Sequence, residues 1–305
     1  MASIGFVGLG QMGRPMAGHL VADGHEVLVY DRRPDAVAAI EGATGATSVP
    51  ELGAEADVVF LSLPGPEAVL AVTKELARTL EPGSIVVDTT TSTPKTTRTV
   101  ADRFAERSLS ILGSPVSGGV TGATAGTLTA MVGGELAVLD SCRDLLEAFA
   151  SNVVHVGPDP GHGHAAKLLN NYLSITAMLA TSEAVALGQT VGLDVETMCD
   201  VFNASTGRNS ATADKFPGAA AGEEVGFSLE LLEKDIRLLT AFAEENRLAL
   251  LLASVVRAES GRALARFGDD GDMTDLYDYV VETTGAVRAE DDGKSHAADD
   301  KQGHR

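Results

Sequence analysis

The chain has 305 residues and a mass of 31.4 kDa, which at about 150 residues per domain is room for two domains. Apolar residues make up 44% and charged residues 22%, so the composition is that of a globular protein and excludes disordered and fibrous classes. A formal charge of -20, four Tyr and no Trp argue against a nucleic-acid partner, because phosphate binding needs positive charge and base stacking needs aromatic rings.

The two cysteines, Cys142 and Cys199, lie in segments with helical patterns, and their spacing fits neither a metal site nor a redox motif, so we expect structural roles for both. The histidines show no ligand spacing either, and we expect no metal. No secretory signal opens the chain, and no apolar run is long enough to span a membrane. These features predict a soluble, cytoplasmic protein without a membrane partner.

Short β-branched runs alternate with helical patterns in the first half of the chain. This alternation predicts a parallel sheet covered by helices. The predicted strands are residues 4–7, 26–30, 58–61, 85–87, 109–112, 127–132 and 153–155, and the predicted helices between them are 12–22, 66–80 and 94–106.

Strand patterns end after the Gly- and Pro-rich stretch 157–161. The helices predicted beyond it are residues 163–191, 195–202, 229–245, 248–266 and 274–284. We therefore predict an α/β domain over residues 1–162 and an all-α domain over 163–288, beginning with an unusually long helix. Residues 289–305 contain no apolar residue larger than Ala, which predicts an acidic disordered tail.

A glycine-rich turn separates the first predicted strand from the first predicted helix. The motif G-x-G-x-x-G in this setting lets the backbone and the helix N-terminus bind a pyrophosphate. Its residues are Gly8, Gly10, Gln11, Met12 and Gly13. Asp31 ends the second predicted strand, where a carboxylate accepts hydrogen bonds from ribose hydroxyls. The two signals together predict a site for a nicotinamide dinucleotide.

Two arginines complicate the choice between NAD and NADP. Arg32 and Arg33 follow Asp31 directly and are suited to clamp a 2′-phosphate. The Asp31 carboxylate would repel that phosphate. We therefore expect NAD to be favoured over NADP.

A glycine-dense loop is predicted between two strands at residues 114–126. Successive backbone N–H groups at Gly118 and Gly119, with the Ser117 hydroxyl, are suited to bind a substrate carboxylate. The alternative is a flexible strand connection with no ligand.

Lys167, Asn171 and Ser174 are spaced i, i+4 and i+7 near the start of the long predicted helix, so they share one of its faces. That polar stripe is either a solvated face or the lining of a cleft between the domains. A lysine near a helix N-terminus faces the positive end of the helix dipole, which eases the loss of its proton.

Three further residues carry weaker signals. Lys234 and Asp235 lie in a predicted helix, where an ordinary surface pair is the simplest interpretation. Arg208 lies in a polar loop and is a reasonable contact for an anion.

These segments together resemble the β-hydroxyacid dehydrogenase family. The matching motifs are GFVGLGQMGRPMAGHL at 5–20, DTTTSTP at 88–94, PVSGG at 115–119, G-x-G-x-x-x-K-x-x-N-N at 161–171, and Lys234-Asp235. Two departures are Gly113-Ser114, where the family often has Asp-Ala, and Thr90-Thr91, where it often has Ser-Thr. Neither departure removes a group that the chemistry needs.

The resemblance implies a Rossmann-like domain, an all-α domain joined to it by a long interdomain helix, and a homodimer or homotetramer. It implies an NAD(P)-dependent oxidoreductase that acts on a small carboxylate substrate, a β-hydroxy acid or semialdehyde acid of the 3-hydroxyisobutyrate or 2-hydroxy-3-oxopropionate type. Lys167 would be the general acid/base, with Asn171 beside it. Other implied roles are substrate carboxylate binding by Ser117, Gly118 and Gly119, nicotinamide and substrate contact by Lys234, and cofactor contact by Leu63, Pro64 and Thr91.

Two other functions remain open on the sequence. An imine reductase of the same fold would reduce a C=N bond, although the family resemblance implies that such enzymes usually carry another residue in place of Lys167. A cofactor-binding scaffold without turnover is the other alternative, and the intact set of Lys167, Asn171 and Ser117 disfavours it.

Overall fold

A computed structural model describes residues 3–286, so the predicted tail at 289–305 lies outside the described residues. The chain divides into two compact units, the first ending at Leu169 and the second beginning at Asn170. The composition change predicted a boundary after residue 162. The division lies a few residues later because the first turns of the long helix pack against the first unit.

The first unit contains an α/β sheet. Its strands are β1 (Ile4–Val7), β2 (Val27–Tyr30), β3 (Thr44–Gly45), β4 (Val58–Leu61), β5 (Ile85–Asp88), β6 (Ser110–Gly113), β7 (Val116–Ser117), β8 (Leu128–Gly133) and β9 (Ala150–Gly157). The order is β3-β2-β1-β4-β5-β6-β8-β7, with β9 paired to β8. The pairs from β3 to β6 are parallel, whereas β8 is antiparallel to β6 and β7. The order 3-2-1-4-5-6 is that of a Rossmann-like fold, as predicted.

Helices cover both faces of this sheet. They are α1 (Gly13–Ala22), α2 (Pro34–Ala38), α3 (Val49–Glu55), α4 (Pro66–Thr79), α5 (Pro94–Ala105), α6 (Gly119–Ala125) and α7 (Leu136–Glu147). Several begin with the expected signals. The Ser48 hydroxyl accepts a hydrogen bond from the Glu51 N–H before α3, and the Thr93 hydroxyl accepts one from the Thr96 N–H before α5. Proline lies in the first turn of both helices, at Pro50 and Pro94, where its missing N–H costs nothing.

Alternate residues of each central strand enter different apolar cores. In β4, Val58 and Phe60 belong to the core beneath α1 and α7, whereas Val59 and Leu61 belong to the core beneath α3, α4 and α5. The Phe60 ring stacks on Phe6 of β1 at a centroid distance of 5.9 Å. A strand buried on both faces reads as a continuous apolar run, and this pattern made β1 and β4 predictable to the residue.

Several short elements were not predicted, and one prediction was partly wrong. The strands β3 and β7 have two residues each, too few for a periodic pattern, and α2, α3, α6 and α7 were also missed. The glycine-dense segment predicted as a loop contains β7 and the helix α6. Glycine and threonine are poor helix formers, so contacts with the rest of the unit outweigh the local propensity of α6.

The helix α8 (His162–Thr190) begins directly on the sheet. A Cβ atom on Gly163 would overlap two carbonyl oxygens, that of Gly113 at the end of β6 and that of Met131 in β8. A Cβ on Gly161 would press against Pro94 at the start of α5. The two glycines of the 161–171 motif therefore permit a backbone-to-backbone contact that no larger residue allows.

The second unit is helical. Beyond α8, its helices are α9 (Val195–Asn203), α10 (Ser210–Asp214), α11 (Leu229–Glu245), α12 (Ala253–Phe267) and α13 (Asp275–Thr284), with a 3-10 turn at Gly218–Ala221. The start of α12 was predicted at residue 248 and lies at Ala253. Arg247 has a left-handed backbone at φ 56°, and the leucine-rich residues that follow are helix formers that remain outside the helix.

Side-chain contacts tie the helices of the second unit together. The Phe216 and Tyr277 rings meet edge to face at 5.4 Å, and the Tyr279 hydroxyl donates a hydrogen bond to Glu259 at 2.7 Å.

Within residues 3–286, no helix combines the length and hydropathy that a membrane crossing requires.

Candidate active site

The glycines of the first turn have the three different roles that the motif predicts. Gly8 has φ 97°, and a Cβ there would overlap the Ser62 carbonyl oxygen after β4. A Cβ on Gly13 would overlap the Gly8 carbonyl oxygen, so Gly13 lets α1 approach β1. A Cβ on Gly10 would meet nothing within 4 Å. The turn thus offers open space above Gly10, as a backbone approach to a pyrophosphate requires.

Asp31, directly after β2, is tied to this turn. Its carboxylate accepts hydrogen bonds from the Leu9 N–H at 2.8 Å and from the Arg33 N–H at 2.9 Å. Partial burial tends to raise the pKa of Asp31, but these backbone donors and the Arg33 guanidinium hold the pKa below its ordinary value. The carboxylate is therefore charged at neutral pH and sits beside the glycine-rich turn.

The two arginines after Asp31 differ in position. The Arg33 guanidinium donates to Asp31 at 3.3 Å and to the Leu9 carbonyl oxygen at 3.3 Å, so it folds back onto the turn. Arg32 is exposed. Arg33 thus serves the geometry of the turn.

The loops after β4 and β5 meet through Thr90. The Leu63 N–H donates to the Thr90 hydroxyl at 3.0 Å, and the Thr90 N–H donates to Asp88 at 3.0 Å. Leu63, Pro64 and Thr91 therefore follow the carboxyl ends of neighbouring parallel strands, at the same sheet edge as the glycine-rich turn. Ligands of open α/β sheets bind at that edge. The residues present fit a nicotinamide dinucleotide.

A buried histidine and a buried carboxylate meet behind these loops, and sequence reasoning missed both. His164 Nε2 lies 3.6 Å from Asp88 Oδ2, and both side chains are fully buried. Burial lowers the pKa of His164 to about 4, and burial raises the pKa of Asp88 to about 7 against the opposing hydrogen bonds from Thr90. A neutral imidazole therefore lies beneath the loops that follow β4 and β5.

Ser117, Gly118 and Gly119 lie where β7 turns into α6. Gly118 has φ 130° and Gly119 has φ 62°, and both are exposed. Ser117 is paired with Thr129 of β8, which fixes its position on the sheet. The segment therefore forms a turn that joins β7 to α6.

Lys167 lies on α8, one helical turn after His164. It is 8% exposed, as is Asn171 one turn further on. On the same helix Leu169 is 51% and Leu173 67% exposed. The solvated-face interpretation of the polar stripe is thus wrong for its first two members, because Lys167 and Asn171 are buried while Leu169 and Leu173 are exposed.

Asn171 is held by a carboxylate that sequence reasoning underrated. The Asn171 amide donates to Asp235 at 2.6 Å, and Asp235 is 3% exposed. Lys234 Nζ lies 3.6 Å from the other Asp235 oxygen. Lys234-Asp235 is therefore not an ordinary surface pair, and the motif match was the one signal for it. Arg208 is exposed before α10, and no described contact joins it to this cluster.

Both cysteines are buried free thiols, and burial raises the pKa of Cys142 to about 11. Among residues 3–286, no group of three or more His, Cys, Asp or Glu side chains is arranged to hold a metal ion.

Two protein families match the chain. Residues 3–157 match the NAD-binding domain of 6-phosphogluconate dehydrogenase, and residues 161–280 match the NAD-binding region of NADP-dependent 3-hydroxyisobutyrate dehydrogenase. The 3-hydroxyisobutyrate dehydrogenase of Pseudomonas aeruginosa is 38% identical over 271 residues, which are 84% of this chain and 90% of that protein. The chain belongs to the β-hydroxyacid dehydrogenase family.

Other members of the β-hydroxyacid dehydrogenase family are similar over most of the chain. The NAD-dependent L-serine dehydrogenase of Pseudomonas aeruginosa is 37% identical and covers 80% of this chain and 86% of its own. The structure of Mycobacterium tuberculosis 3-hydroxyisobutyrate dehydrogenase with L-serine superposes at a TM-score of 0.86, with 33% identity over 91% of this chain and 98% of that one. This β-hydroxyacid dehydrogenase is therefore an NAD(P)-dependent oxidoreductase with the predicted fold.

The open space above Gly10 gives a test of the dinucleotide site in this dehydrogenase. We expect Gly10→Ala to fold with nearly wild-type stability, because its Cβ meets no protein atom. The same Cβ would occupy the space of the pyrophosphate, so we expect the Kd for NADH to rise about tenfold or more, a loss of ~1.4 kcal/mol. Fluorescence titration with NADH measures the Kd, and thermal unfolding measures the stability.

Gly18→Ala in α1 is the matched control, since a Cβ there also meets nothing within 4 Å but lies outside the turn. It should bind NADH as the wild type does. Wild-type affinity in Gly10→Ala would contradict the assignment of the turn to the pyrophosphate.

Proposed function

We propose that this enzyme oxidises the primary hydroxyl of small 3-hydroxy acids and reduces the corresponding semialdehyde acids, with Lys167 as the general acid/base. The observation that carries the proposal is the burial of Lys167 and Asn171, which lie one turn apart on α8. This spacing puts a group that can transfer a proton next to a hydrogen-bonding amide.

The substrates named for similar proteins support a common chemical class. Those names include 3-hydroxyisobutyrate, L-serine and 2-(hydroxymethyl)glutarate. All three molecules carry a hydroxymethyl group on the carbon next to a carboxylate, and they differ in the third substituent of that carbon. We take the carboxylate and the hydroxymethyl group as the features that this enzyme recognises.

In the proposed mechanism, Lys167 accepts the hydroxyl proton during oxidation and returns it to the alkoxide oxygen during reduction. A bound nicotinamide dinucleotide supplies hydride-transfer chemistry at this site. Asn171 lies one turn from Lys167 and is oriented by Asp235. We assign its amide to the same substrate oxygen. Ser117, Gly118 and Gly119 bind the carboxylate, and Lys234 and Arg208 supply positive charge.

We propose that NAD is the preferred cofactor. The Asp31 carboxylate is charged and sits beside the turn, so it favours ribose hydroxyls over a 2′-phosphate. The Arg33 guanidinium is engaged by Asp31 and the Leu9 carbonyl oxygen. A 2′-phosphate would therefore depend on the exposed Arg32.

Imine reduction has weaker support. Imine reductase structures from Streptomyces aurantiacus and Bacillus cereus are 23% and 20% identical to this chain, which concerns the fold alone. A lysine buried on α8 is suited to accept the proton of a substrate hydroxyl, and no feature of residues 3–286 favours a C=N substrate.

Replacement of the lysine tests the mechanism. We expect Lys167→Ala to lower kcat by at least about 100-fold, since acid/base groups contribute ~10² to 10⁴-fold, while the Kd for NADH stays within about twofold. Steady-state kinetics and NADH titration give the two values. Lys74→Ala, at an exposed position of α4, is the control and should retain activity. A Lys167→Ala enzyme with more than about a hundredth of the wild-type rate would exclude the acid/base role.

A substrate panel tests the specificity and the cofactor together. We expect kcat/KM for 3-hydroxyisobutyrate to exceed that for isobutanol, which lacks the carboxylate, by about 100-fold, because charged hydrogen bonds contribute ~1.5 to 3 kcal/mol each. L-serine and 2-(hydroxymethyl)glutarate complete the panel, each with NAD and NADP. Equal use of isobutanol would refute carboxylate recognition, and a preference for NADP would refute the role given to Asp31.

We also propose a homodimer or homotetramer, formed through the outer face of α8. Leu173 and Leu187 of α8 are 67% and 69% exposed, the exposed Ala180 and Ala184 lie between them in the chain, and Val191, directly after the helix, is 71% exposed. Neighbouring exposed apolar side chains mark an interaction surface, and a second copy of the chain would cover it.

A charge on this face tests the assembly. We expect the wild type to elute as a dimer or larger species and Leu187→Glu to shift toward the monomer, because the carboxylate would be buried in the interface. Size-exclusion chromatography with light scattering gives the mass. Leu136→Glu, at an exposed leucine of α7, should not change it. A monomeric wild type would refute the proposal.

A further inference from the structure

The His164 ring contacts three separate segments of the first unit. Its Nε2 lies 2.9 Å from the Thr90 carbonyl oxygen in the loop after β5, and its Nδ1 lies 2.8 Å from the Thr97 hydroxyl of α5. Gly113, at the end of β6, makes room for the ring, because a Cβ there would lie 2.7 Å from Nδ1. The ring therefore fills the space between the start of α8 and the loops at the sheet edge.

The partners determine the tautomer. A carbonyl oxygen only accepts hydrogen bonds, so Nε2 carries the proton and donates it to Thr90. Nδ1 of the neutral ring then accepts from the Thr97 hydroxyl. With its pKa lowered to about 4, His164 keeps this arrangement throughout the neutral range.

Three hydrogen bonds hold Thr90 in place. Its carbonyl oxygen accepts from His164, its N–H donates to Asp88, and its hydroxyl accepts from the Leu63 N–H. These contacts lie among Leu63, Pro64 and Thr91, for which the family resemblance implies contact with the cofactor. The His164 contact links these loops to α8, and Lys167 follows one turn later.

We propose that His164 is a positioning residue, which sets the cofactor loops after β4 and β5 relative to the turn of α8 that carries Lys167. The proposal rests on the proposed function, in which the enzyme binds a nicotinamide dinucleotide and Lys167 transfers the proton, and on the cofactor contact that the resemblance implies for those loops. His164 would act through its contact with the Thr90 carbonyl oxygen. Its removal would leave that buried carbonyl without its donor and allow the loop to move.

Gly113, at the end of β6, lies beside the His164 ring. A Cβ atom there would collide with the Pro160 carbonyl oxygen and, less closely, with His164 Nδ1. The glycine therefore serves the backbone contact at the start of α8 and also leaves room for the imidazole.

Replacement of His164 by Leu and by Gln tests the proposal. Leucine fills the space without a donor, so we expect His164→Leu to raise the Kd and the KM for NADH about 3- to 10-fold and to lower kcat as well. The Gln side-chain amide reaches the place of Nε2, so His164→Gln should restore NADH affinity to within about twofold of the wild type. NADH titration, steady-state kinetics and thermal unfolding are measured for each variant.

Thr73→Val is the matched control for a purely structural role. Thr73 is also fully buried, and its hydroxyl donates to a helix carbonyl oxygen at 2.7 Å in α4. It should lower the melting temperature while the Kd and KM for NADH stay unchanged. If His164→Leu behaves in the same way, the positioning role is wrong.

A further comparison covers the case in which His164→Leu does not fold. The amide of Asn reaches the place of Nδ1 and not that of Nε2, so His164→Asn should bind NADH more weakly than His164→Gln. Equal binding by the two variants would overturn the proposal. The NADH titration needs no turnover, so its result is independent of whether Lys167→Ala supports the proposed proton transfer.

Discussion

The contact between the start of α8 and the backbone of the sheet is the constraint on which the candidate active site depends. Gly163 lies against carbonyl oxygens of β6 and β8, and a side chain there would lift the helix off the sheet. Arg98 of α5 adds a salt bridge to Asp159 at 2.8 Å, just before the helix. Because its first turn is fixed in this way, α8 places His164 against the loop after β5, and Lys167 lies one turn further along the helix.

Buried carboxylates have the same task in both units: each holds a neutral group in one orientation. In the first unit Asp88 accepts from the Thr90 N–H, and in the second unit Asp235 accepts from the Asn171 amide. Burying a carboxylate is expensive unless hydrogen bonds compensate it. The raised pKa of Asp88 reflects that cost of burial. In return, the carboxyl group fixes the Thr90 backbone, next to the residues for which the resemblance implies cofactor contact.

The net charge of -20 works against the ligands of this enzyme, because the dinucleotide and the proposed carboxylate substrate are both anions. Binding must therefore come from local groups that act at short range. The glycine-rich turn offers open space above Gly10, and in the proposed mechanism Lys167 and Lys234 add positive charge. The acidic surface is consistent with solubility and not with the attraction of substrate.

Residues that are close in the chain determined what could be predicted. The glycine motif, Asp31, the 161–171 motif and the continuous apolar runs of β1 and β4 all carry their meaning within a few positions, so the fold class and the family followed from the sequence by itself. The candidate dinucleotide site and the proposed role of Lys167 rest on the same local patterns. The tertiary structure alone decided which side of α8 is inside, that Asp235 orients Asn171, and that His164 joins Asp88, Thr90 and Thr97. The hydrogen bonds among these contacts span 64 to 74 residues of chain, and no local pattern encodes which distant group will pack against a given side chain.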